Sequence, residues 1–272
     1  MKKAGIVLTS LLLVVGLVTG CGSTAPEATQ TPSTTNGQSA DVKAIKDRGV
    51  LKVGVKVDVP KFGYKDPKTE KIEGFEIDLA NVISKKIIGT EKIETTAVTA
   101  KTRGPLLDSG GVDLVIATFT VTEDRKKSYN FSNAYFTDGV RLLVKKSAGI
   151  NSLKDLDGKK IGVAQSATSK KAIQEQADKV GAKISFLEFS TYPEIKTALD
   201  SGRVDCFSVD GSILFGYLDD STIILADSFS PQDYGVASKL GNDGLSKVVN
   251  ETIAELKKSG ELDKMIQKWG LK

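Results

Sequence analysis

Short apolar segments alternate along the chain with segments whose apolar residues follow helical spacing. Residues 50–55 alternate apolar and polar side chains with the period of two that is typical of a strand, whereas residues 74–83 carry helical spacing. Further strand-like segments cover residues 92–98, 112–116, 139–145, 161–164, 184–189, 204–209 and 223–225, and further helix-like segments cover residues 105–107, 169–180, 195–199 and 244–269. This alternation predicts an α/β fold with mainly parallel sheets.

One sequence pattern occurs twice within this alternation. Residues 107–113 (LDSGGVD) are echoed by residues 199–205 (LDSGRVD), and each copy places a Ser-Gly turn between a short helix and a buried strand. The repetition predicts two similarly built α/β lobes. A cleft between two lobes is the usual place for a ligand.

The N-terminal residues differ in character from the rest of the chain. Lys2 and Lys3 precede an uncharged, mostly apolar run that ends in small residues before Cys21. This pattern is typical of a secretory signal rather than a stable membrane-spanning helix. Its end resembles the lipobox of bacterial lipoproteins, which implies a lipoprotein signal peptide over residues 1–20 and a lipid on Cys21. An ordinary signal peptide or an N-terminal anchor helix is the alternative.

Residues 21–40 are rich in Ser, Thr, Pro and Gly and contain no large apolar side chain. Such a segment cannot bury enough apolar surface to offset the entropy lost on ordering. We therefore predict a flexible tether that holds a folded body, beginning near Asp41, away from a membrane surface.

The composition excludes several classes of function. The chain has no histidine and two cysteines, so it cannot build a Ser-His-Asp triad, an HExxH zinc helix, a zinc ribbon or an iron–sulfur cluster. Removing Lys2 and Lys3 from the 38 basic side chains, against 34 acidic ones, lowers the formal charge from +4 to about +2. Nucleic-acid binding therefore has no electrostatic support. We expect no metal and no cofactor, and we expect Cys206 to be a core residue.

Motifs spread over residues 45–272 match those of one known family. The segment GFEIDLA at residues 74–80 corresponds to GFDVDLA in that family, and YNFS at residues 129–132, followed by Tyr135, corresponds to DFSxPY. Further matching segments are GVLKVGV (49–55), VDLVI (112–116), TVTEDR (120–125), LKDLDGK (153–159), GVAQSAT (162–168) and VDCFSVD (204–210). In their order and spacing these motifs resemble the extracytoplasmic solute-binding proteins of polar amino-acid ABC transporters, family 3.

The resemblance implies a periplasmic-binding-protein-like fold of type II, with two α/β lobes joined by a two-strand hinge. One lobe is expected over residues 41–141 and 231–272, the other over residues 142–230, and the hinge strands near residues 139–145 and 227–234. The resemblance also implies a protein without enzymatic activity that captures a free amino acid outside the cytoplasmic membrane and delivers it to an ABC permease. We expect it to be a monomer.

A free amino acid has a carboxylate and an ammonium, and both charged groups need partners when they leave water. Five residues are candidates for these partners. Arg125 resembles the carboxylate-binding arginine of the family, and the backbone N–H of Thr168 is placed to meet the same group at a helix start. Asp210 resembles the acid that pairs with the ammonium. Thr118 and Thr120 are expected to alternate on one strand face that points into the cleft. The alternatives are a solvated arginine, a helix N-cap, a turn-capping aspartate and ordinary strand packing.

Lys56, Arg103 and Tyr192 are candidates for the pocket that holds the ligand side chain. The TRGPLL stretch around Arg103 resembles NRIPLL of glutamate- and aspartate-binding members, and Tyr192 resembles the tyrosine that closes over an acidic side chain in that branch. The local charge of the expected cleft is about +2, because three cationic side chains (Lys56, Arg103 and Arg125) stand opposite one carboxylate (Asp210). Such a charge favours a ligand with two carboxylates. The sequence therefore predicts aspartate or glutamate. A solvated loop lysine is the alternative for Lys56.

Other ligands and functions stay open. Ala100 stands where many family members place an aromatic residue against the ligand side chain, and the loss of that aromatic favours a short polar ligand. Glutamine, asparagine and cystine remain alternatives. The same fold includes cyclohexadienyl dehydratases, which need a desolvated glutamate in the cleft. Glu123, Glu188 and Glu194 lie on segments that are expected to be exposed or next to binding positions, which argues against this enzyme. A sensor or an adhesin built on the same body is a third possibility.

Overall fold

The computed structural model describes residues 39–271, which form nine α-helices, fourteen β-strands and two short 3₁₀ turns. The helices are α1 (Ala40–Arg48), α2 (Phe75–Ile88), α3 (Arg103–Asp108), α4 (Glu123–Lys126), α5 (Ser169–Val180), α6 (Tyr192–Asp200), α7 (Gly211–Leu214), α8 (Asp243–Ser259) and α9 (Glu261–Lys268). The strands are β1 (Leu51–Val55), β2 (Asp58–Val59), β3 (Gly63–Lys65), β4 (Ile72–Glu73), β5 (Ile93–Ala97), β6 (Leu114–Ile116), β7 (Tyr129–Phe131), β8 (Phe136–Lys145), β9 (Lys160–Ala164), β10 (Ser185–Phe189), β11 (Cys206–Asp210), β12 (Thr222–Ile224), β13 (Phe229–Tyr234) and β14 (Ala237–Lys239).

The first lobe is built on a sheet with the strand order β5-β1-β6-β14-β7. β1 pairs in parallel with β5 and β6, and β14 runs antiparallel to β6 and β7. Leu114 and Ile116 pack into one apolar cluster and Val115 into another, so β6 is covered on both faces. That double coverage explains its uninterrupted apolar sequence.

The second lobe is built on a sheet with the strand order β10-β9-β11-β8-β12. β9 pairs in parallel with β10 and β11, whereas β8 runs antiparallel to β11 and β12. Both sheets are therefore mixed. The expectation of mainly parallel sheets holds for strands β5, β1 and β6 of the first sheet and for strands β10, β9 and β11 of the second. The predicted α/β class and the two-lobe architecture are confirmed.

Two neighbouring strands carry the chain between the lobes. β8 continues from the first lobe into the second sheet, and β13 pairs with its first half, from Phe229 opposite Val140 to Tyr234 opposite Phe136. These strands overlap the expected hinge segments. The lobe limits expected from the sequence, residues 41–141 with 231–272 and residues 142–230, stay a prediction.

Several elements differ from the sequence-based expectation. The first helix already begins at Ala40, inside the expected tether, and the loop after β1 contains a small antiparallel sheet of β2, β3 and β4. The expected C-terminal helix is divided into α8 and α9 because Gly260 takes a left-handed conformation (φ 75°). Trp269 fastens the end of the chain to the body, since its indole N–H donates to Asp78 (2.8 Å).

The sequence predicts a signal peptide over residues 1–20, a lipid on Cys21 and a tether up to Ala40. Apart from Ser39 and Ala40, these residues lie outside the described part of the chain. Within residues 39–271, no helix is long and apolar enough to cross a membrane. Cys206 is a buried free thiol inside β11, as expected of a core residue, and burial raises its pKa.

Candidate functional site

Arg103 lies at the start of α3 and is almost completely buried, with 3% of its surface exposed. Its Nη1 donates to the carbonyl oxygens of Ala117 (2.6 Å) and Thr118 (3.0 Å). Burial lowers the pKa of Arg103, but a guanidinium stays charged near neutral pH. The buried Nε has no hydrogen-bond partner within residues 39–271.

The segment that follows β6 carries both candidate threonines. β6 ends at Ile116, so the expectation that Thr118 and Thr120 share one strand face is wrong. Thr118 takes a left-handed backbone conformation (φ 45°), which non-glycine residues rarely adopt, and Thr120 forms an isolated antiparallel bridge with Tyr234. Both threonines are buried, and the hydroxyl of Thr118 has no partner among the described residues.

Glu76, near the start of α2, supports Thr118 in this conformation. Its Oε1 accepts hydrogen bonds from the backbone N–H of Thr118 (2.6 Å) and from the hydroxyl of Tyr135. Burial raises the pKa of Glu76 to about 6, and the two donors oppose this rise because they favour the carboxylate. Sequence reasoning missed this residue, which stands between the apolar Phe75 and Ile77. A glutamate between two apolar residues at the start of a buried helix was the sequence signal that could have identified it, because a buried acid needs a partner.

Arg125 is placed by the short helix α4. The hydroxyl of Thr122 caps this helix by accepting from the backbone N–H of Arg125 (3.2 Å). The guanidinium then reaches back to the carbonyl oxygen of Thr120 (2.7 Å) and across to the carbonyl oxygen of Ser166 (3.0 Å), which follows β9 in the second lobe. Burial, and then the neighbouring Arg103, lower the pKa of Arg125 to about 9, so this group remains protonated at neutral pH.

Asp210 is the last residue of β11 and is buried. The hydroxyl of Tyr234, on β13, donates to its Oδ2. Burial raises the pKa of Asp210 to about 7; the bond from Tyr234 opposes this rise and Asp138 adds to it. A cation that reached this carboxylate would restore its charged form.

Thr168 immediately precedes α5, and its side chain does not cap that helix. Its hydroxyl donates instead to Oε1 of Gln232 on β13 (2.6 Å). The backbone N–H groups of the first turn of α5 therefore receive no side-chain cap from Thr168. The anion-binding role expected of this helix start stays a prediction. Gln232 was not identified from the sequence.

Lys56 forms an ion pair that the sequence analysis overlooked. The lysine is 2% exposed, its Nζ lies 2.8 Å from Oδ1 of Asp58, and it also lies 4.6 Å from the centre of the Tyr192 ring. Burial lowers the pKa of Lys56, and Asp58 opposes that change. The alternative of a solvated loop lysine is wrong. Because Asp58 offsets one positive charge, the local charge of about +2 falls to about +1.

Asp58 and Arg125 also connect the two lobes. The backbone N–H of Tyr192, at the start of α6, donates to Oδ2 of Asp58 (3.3 Å), and the hydroxyl of Tyr217 donates to the backbone carbonyl of Asp58. With the bond from Arg125 to Ser166, these contacts bring charged groups from both lobes around one buried region. Among the other candidates, Lys56 contacts Tyr192 and Arg103 donates to the carbonyl oxygen of Thr118. Thr120 bridges Tyr234, whose hydroxyl donates to Asp210.

The glutamates considered for an enzymatic role are engaged elsewhere. Glu123 and Glu188 pair with Lys126 and Lys170, and Glu194 accepts from the backbone at the start of α6. Glu76, described above as buried, accepts two hydrogen bonds on Oε1, and its Oε2 has no hydrogen-bond partner among residues 39–271. Within residues 39–271 no group of three or more Cys, Asp or Glu side chains is arranged to hold a metal ion.

Residues 51–272 match the family described as bacterial extracellular solute-binding proteins, family 3. The chain belongs to this family. This family 3 protein is 38% identical to the ABC transporter glutamine-binding protein GlnH of Bacillus subtilis, over 99% of this chain and 97% of that protein. It is 39% identical to the glutamine-binding protein of Geobacillus stearothermophilus, over 91% of this chain and 94% of that protein.

The fold of this family 3 protein also matches solved structures. An ancestral arginine-binding protein, solved with arginine bound, shares 38% of its residues with this chain at a TM-score of 0.74, covering 82% of this chain and 99% of that one. The relatives named here bear the names of amino-acid-binding proteins. The expected membership of family 3 is therefore confirmed, whereas the expected acidic-amino-acid branch is not.

Proposed function

We propose that this protein is the binding component of an amino-acid ABC importer and that its preferred ligand is L-glutamine. The observation that carries the choice of ligand is the buried Lys56–Asp58 ion pair next to Tyr192. The charge count that favoured aspartate or glutamate left Asp58 out. Two relatives that span nearly the whole chain bear the name glutamine-binding protein, which supports the same choice.

The α-amino and α-carboxylate groups have complementary partners in the site. Arg125, with the N–H groups at the start of α5, suits the ligand carboxylate, and Asp210 suits the ligand ammonium. These residues belong to different lobes, so a ligand that contacts all of them favours the closed arrangement. Flexing of β8 and β13, the pair of strands between the lobes, would allow entry and release.

A side-chain amide suits the Lys56–Asp58 pair better than a carboxylate does. An amide offers an acceptor oxygen to Lys56 and donor N–H groups to Asp58 without adding charge. A ligand carboxylate would meet the lysine but would also bring a second negative charge close to Asp58 in a region of low dielectric constant. The pair therefore discriminates by repulsion as well as by attraction.

Aspartate or glutamate remains the second candidate because of Arg103. Its buried Nε has no partner among the described residues, and a carboxylate is the natural acceptor for an unpaired guanidinium N–H. Isothermal titration calorimetry with glutamine, glutamate, aspartate and arginine separates the candidates. Binding of glutamine roughly tenfold or more tighter than binding of glutamate supports the proposal. A preference for either acid would overturn the choice of ligand, and heat with none of the four would overturn the function.

Asp58→Asn is the variant that tests the reason for the choice. Loss of this carboxylate removes the repulsion, so the ratio of glutamine affinity to glutamate affinity should fall roughly tenfold. Asp220→Asn, an exposed aspartate in the loop before β12, is the matched control and should leave the ratio unchanged. An unchanged ratio in Asp58→Asn would show that the ion pair does not set the preference.

Attachment to the envelope is part of the proposal. A lipid on Cys21 would hold the body at the outer face of the cytoplasmic membrane, where an ABC permease could accept the ligand. Mass spectrometry of the N-terminal peptide of protein purified from its native host tests this directly. A diacylglyceryl mass on Cys21, absent from Cys21→Ser, supports the anchor, and an unmodified Cys21 would contradict it.

A further inference from the structure

Phe119 lies between the candidate threonines and contacts both arginines of the site. The guanidinium carbon of Arg103 is 4.0 Å from the centre of its ring, and that of Arg125 is 4.7 Å away. Phe119 is 4% exposed, so these contacts are almost completely shielded from water. Neither the family motifs nor the sequence pattern identified this residue.

Two buried guanidiniums beside one another are unfavourable unless something compensates their charge. Arg103 lowers the pKa of Arg125, which is the sign of this repulsion. Backbone carbonyls accept from both groups, but those bonds use only some of the N–H donors. The electron-rich face of an aromatic ring attracts a cation and fixes the plane of a guanidinium that stacks on it. A leucine of similar volume would supply contact but no such attraction.

The ring of Phe119 is itself held in a defined orientation. Phe131 contacts it edge to face, with ring centres 5.1 Å apart and planes at 71°, and Tyr129 lies 5.8 Å away. The hydroxyl of Tyr129 donates to Asp108 at the end of α3, so this aromatic group is tied to the helix that carries Arg103. The position of the ring is therefore set by packing that does not depend on a ligand.

We infer that Phe119 is a positioning residue that fixes the guanidinium planes of Arg103 and Arg125 and so holds Arg125 in the orientation needed to receive the ligand carboxylate. The inference rests on the proposed amino-acid binding, but it does not depend on which side chain the amino acid carries. It assigns Phe119 no contact with the ligand. Its effect on binding is exerted through the two arginines.

The experiment compares Phe119→Leu, which removes the ring, with Phe119→Tyr, which keeps it. The matched control is Phe189→Leu, because Phe189 lies under Arg203 (5.5 Å) on the second lobe and outside the site. Titration calorimetry with the best-bound amino acid should give a dissociation constant roughly tenfold higher for Phe119→Leu, since two cation–π contacts are lost. Phe119→Tyr should recover most of the loss, and Phe189→Leu should bind like the unmodified protein.

Nuclear magnetic resonance of the arginine Nε–Hε groups in the ligand-free protein supplies a readout that a purely structural role would not change. Stacking over a ring displaces these proton signals upfield. The signals of Arg103 and Arg125 can be assigned because each disappears in the corresponding variant, Arg103→Lys or Arg125→Lys. Both signals should be displaced upfield. The displacement should vanish in Phe119→Leu and persist in Phe119→Tyr.

Undisplaced arginine signals in the unmodified protein would overturn the inference, even if Phe119→Leu failed to fold. Unchanged affinity in Phe119→Leu, or an equal loss in Phe119→Tyr, would also overturn it. If no amino acid binds the unmodified protein but the arginine signals are displaced, the proposed function fails while the stacked arrangement stands.

Discussion

The two halves of the candidate site differ in how their buried charges are compensated. The first half contains Arg125 and Asp210, and the second contains the Lys56–Asp58 pair. Arg125 and Asp210, which suit the charged groups common to all amino acids, have backbone or hydroxyl partners and no ion-pair partner within residues 39–271. Lys56 and Asp58, in the half that faces the ligand side chain, are paired with each other. The first half is thus prepared for charges that a ligand brings, whereas the Lys56–Asp58 pair in the second half carries no net charge. This difference argues for a zwitterionic ligand with an uncharged polar side chain.

The largest effect is expected from Arg125, since its partner would be the ligand carboxylate. Arg125→Ala should weaken binding of the preferred amino acid by about 10³-fold, because a desolvated carboxylate loses its charged partner at a cost of roughly 4 kcal/mol. Arg203→Ala, an exposed arginine, should have no effect. Titration calorimetry measures both, and an affinity within tenfold of the unmodified protein for Arg125→Ala would remove the difference between the halves.

An intermediate effect, on stability rather than binding, is expected from the Lys56–Asp58 pair. Lys56→Met leaves a poorly solvated Asp58 without its cation and should lower the free energy of unfolding by about 3 kcal/mol. Lys56→Met combined with Asp58→Asn should recover much of this loss, because no charge is then left unpaired. Denaturant unfolding of the ligand-free proteins tests this. Equal losses in the single and double variants would show that the two side chains are not coupled.

The smallest expected effect is a dependence of ligand affinity on pH. It should arise from Asp210 in the first half of the site and not from the Lys56–Asp58 pair in the second half. Burial raises the pKa of Asp210 to about 7 in the ligand-free protein, and the ligand ammonium requires the ionised carboxylate. Affinity should therefore fall as pH drops below about 7, by up to roughly tenfold per pH unit. Stability of the ligand-free protein changes in the opposite direction, since a raised carboxyl pKa makes folding less favourable as pH rises from about 4 to 7.

Calorimetry between pH 5.5 and pH 8 checks the binding part of this prediction. Asp210→Asn should bind more weakly and should lose most of the dependence, whereas Lys56→Met with Asp58→Asn should retain it. A pH-independent affinity in the unmodified protein would indicate that Asp210 does not pair with the ammonium.

Much of the fold was accessible from the sequence because it depends on local periodicity. The apolar run of β6, the helix of α5 ending at Gly181 and the repeated Ser-Gly turns each follow from spacing and turn chemistry. The break between α8 and α9 was missed because an amphipathic pattern continues on both sides of Gly260. The mixed sheets were missed because strand direction depends on connections between lobes rather than on the sequence of one strand.

The candidate site shows the same division. Arg125 and Asp210 stand at the ends of recognisable motifs, so their residue types pointed to the chemistry of an amino acid. Glu76 contacts Thr118 and Gln232 contacts Thr168, each far away in the chain, and no local pattern connects these partners. Phe119 is nearer in the chain to Arg103 and Arg125, but its contacts with them depend on three side chains meeting at one buried point. Asp58 lies only two residues from Lys56, yet its effect on the charge of the pocket depends on both side chains being turned to the same buried point.

The sequence by itself determined the two-lobe α/β fold, the family and the residue types that suit the charged ends of an amino acid. Local propensity and motif order are properties of short segments, so they can be read without coordinates. Only the tertiary structure decided the net charge of the side-chain pocket and the stacking of two arginines on Phe119. Those properties depend on distances between groups and on their desolvation, and both arise when separate segments fold against one another.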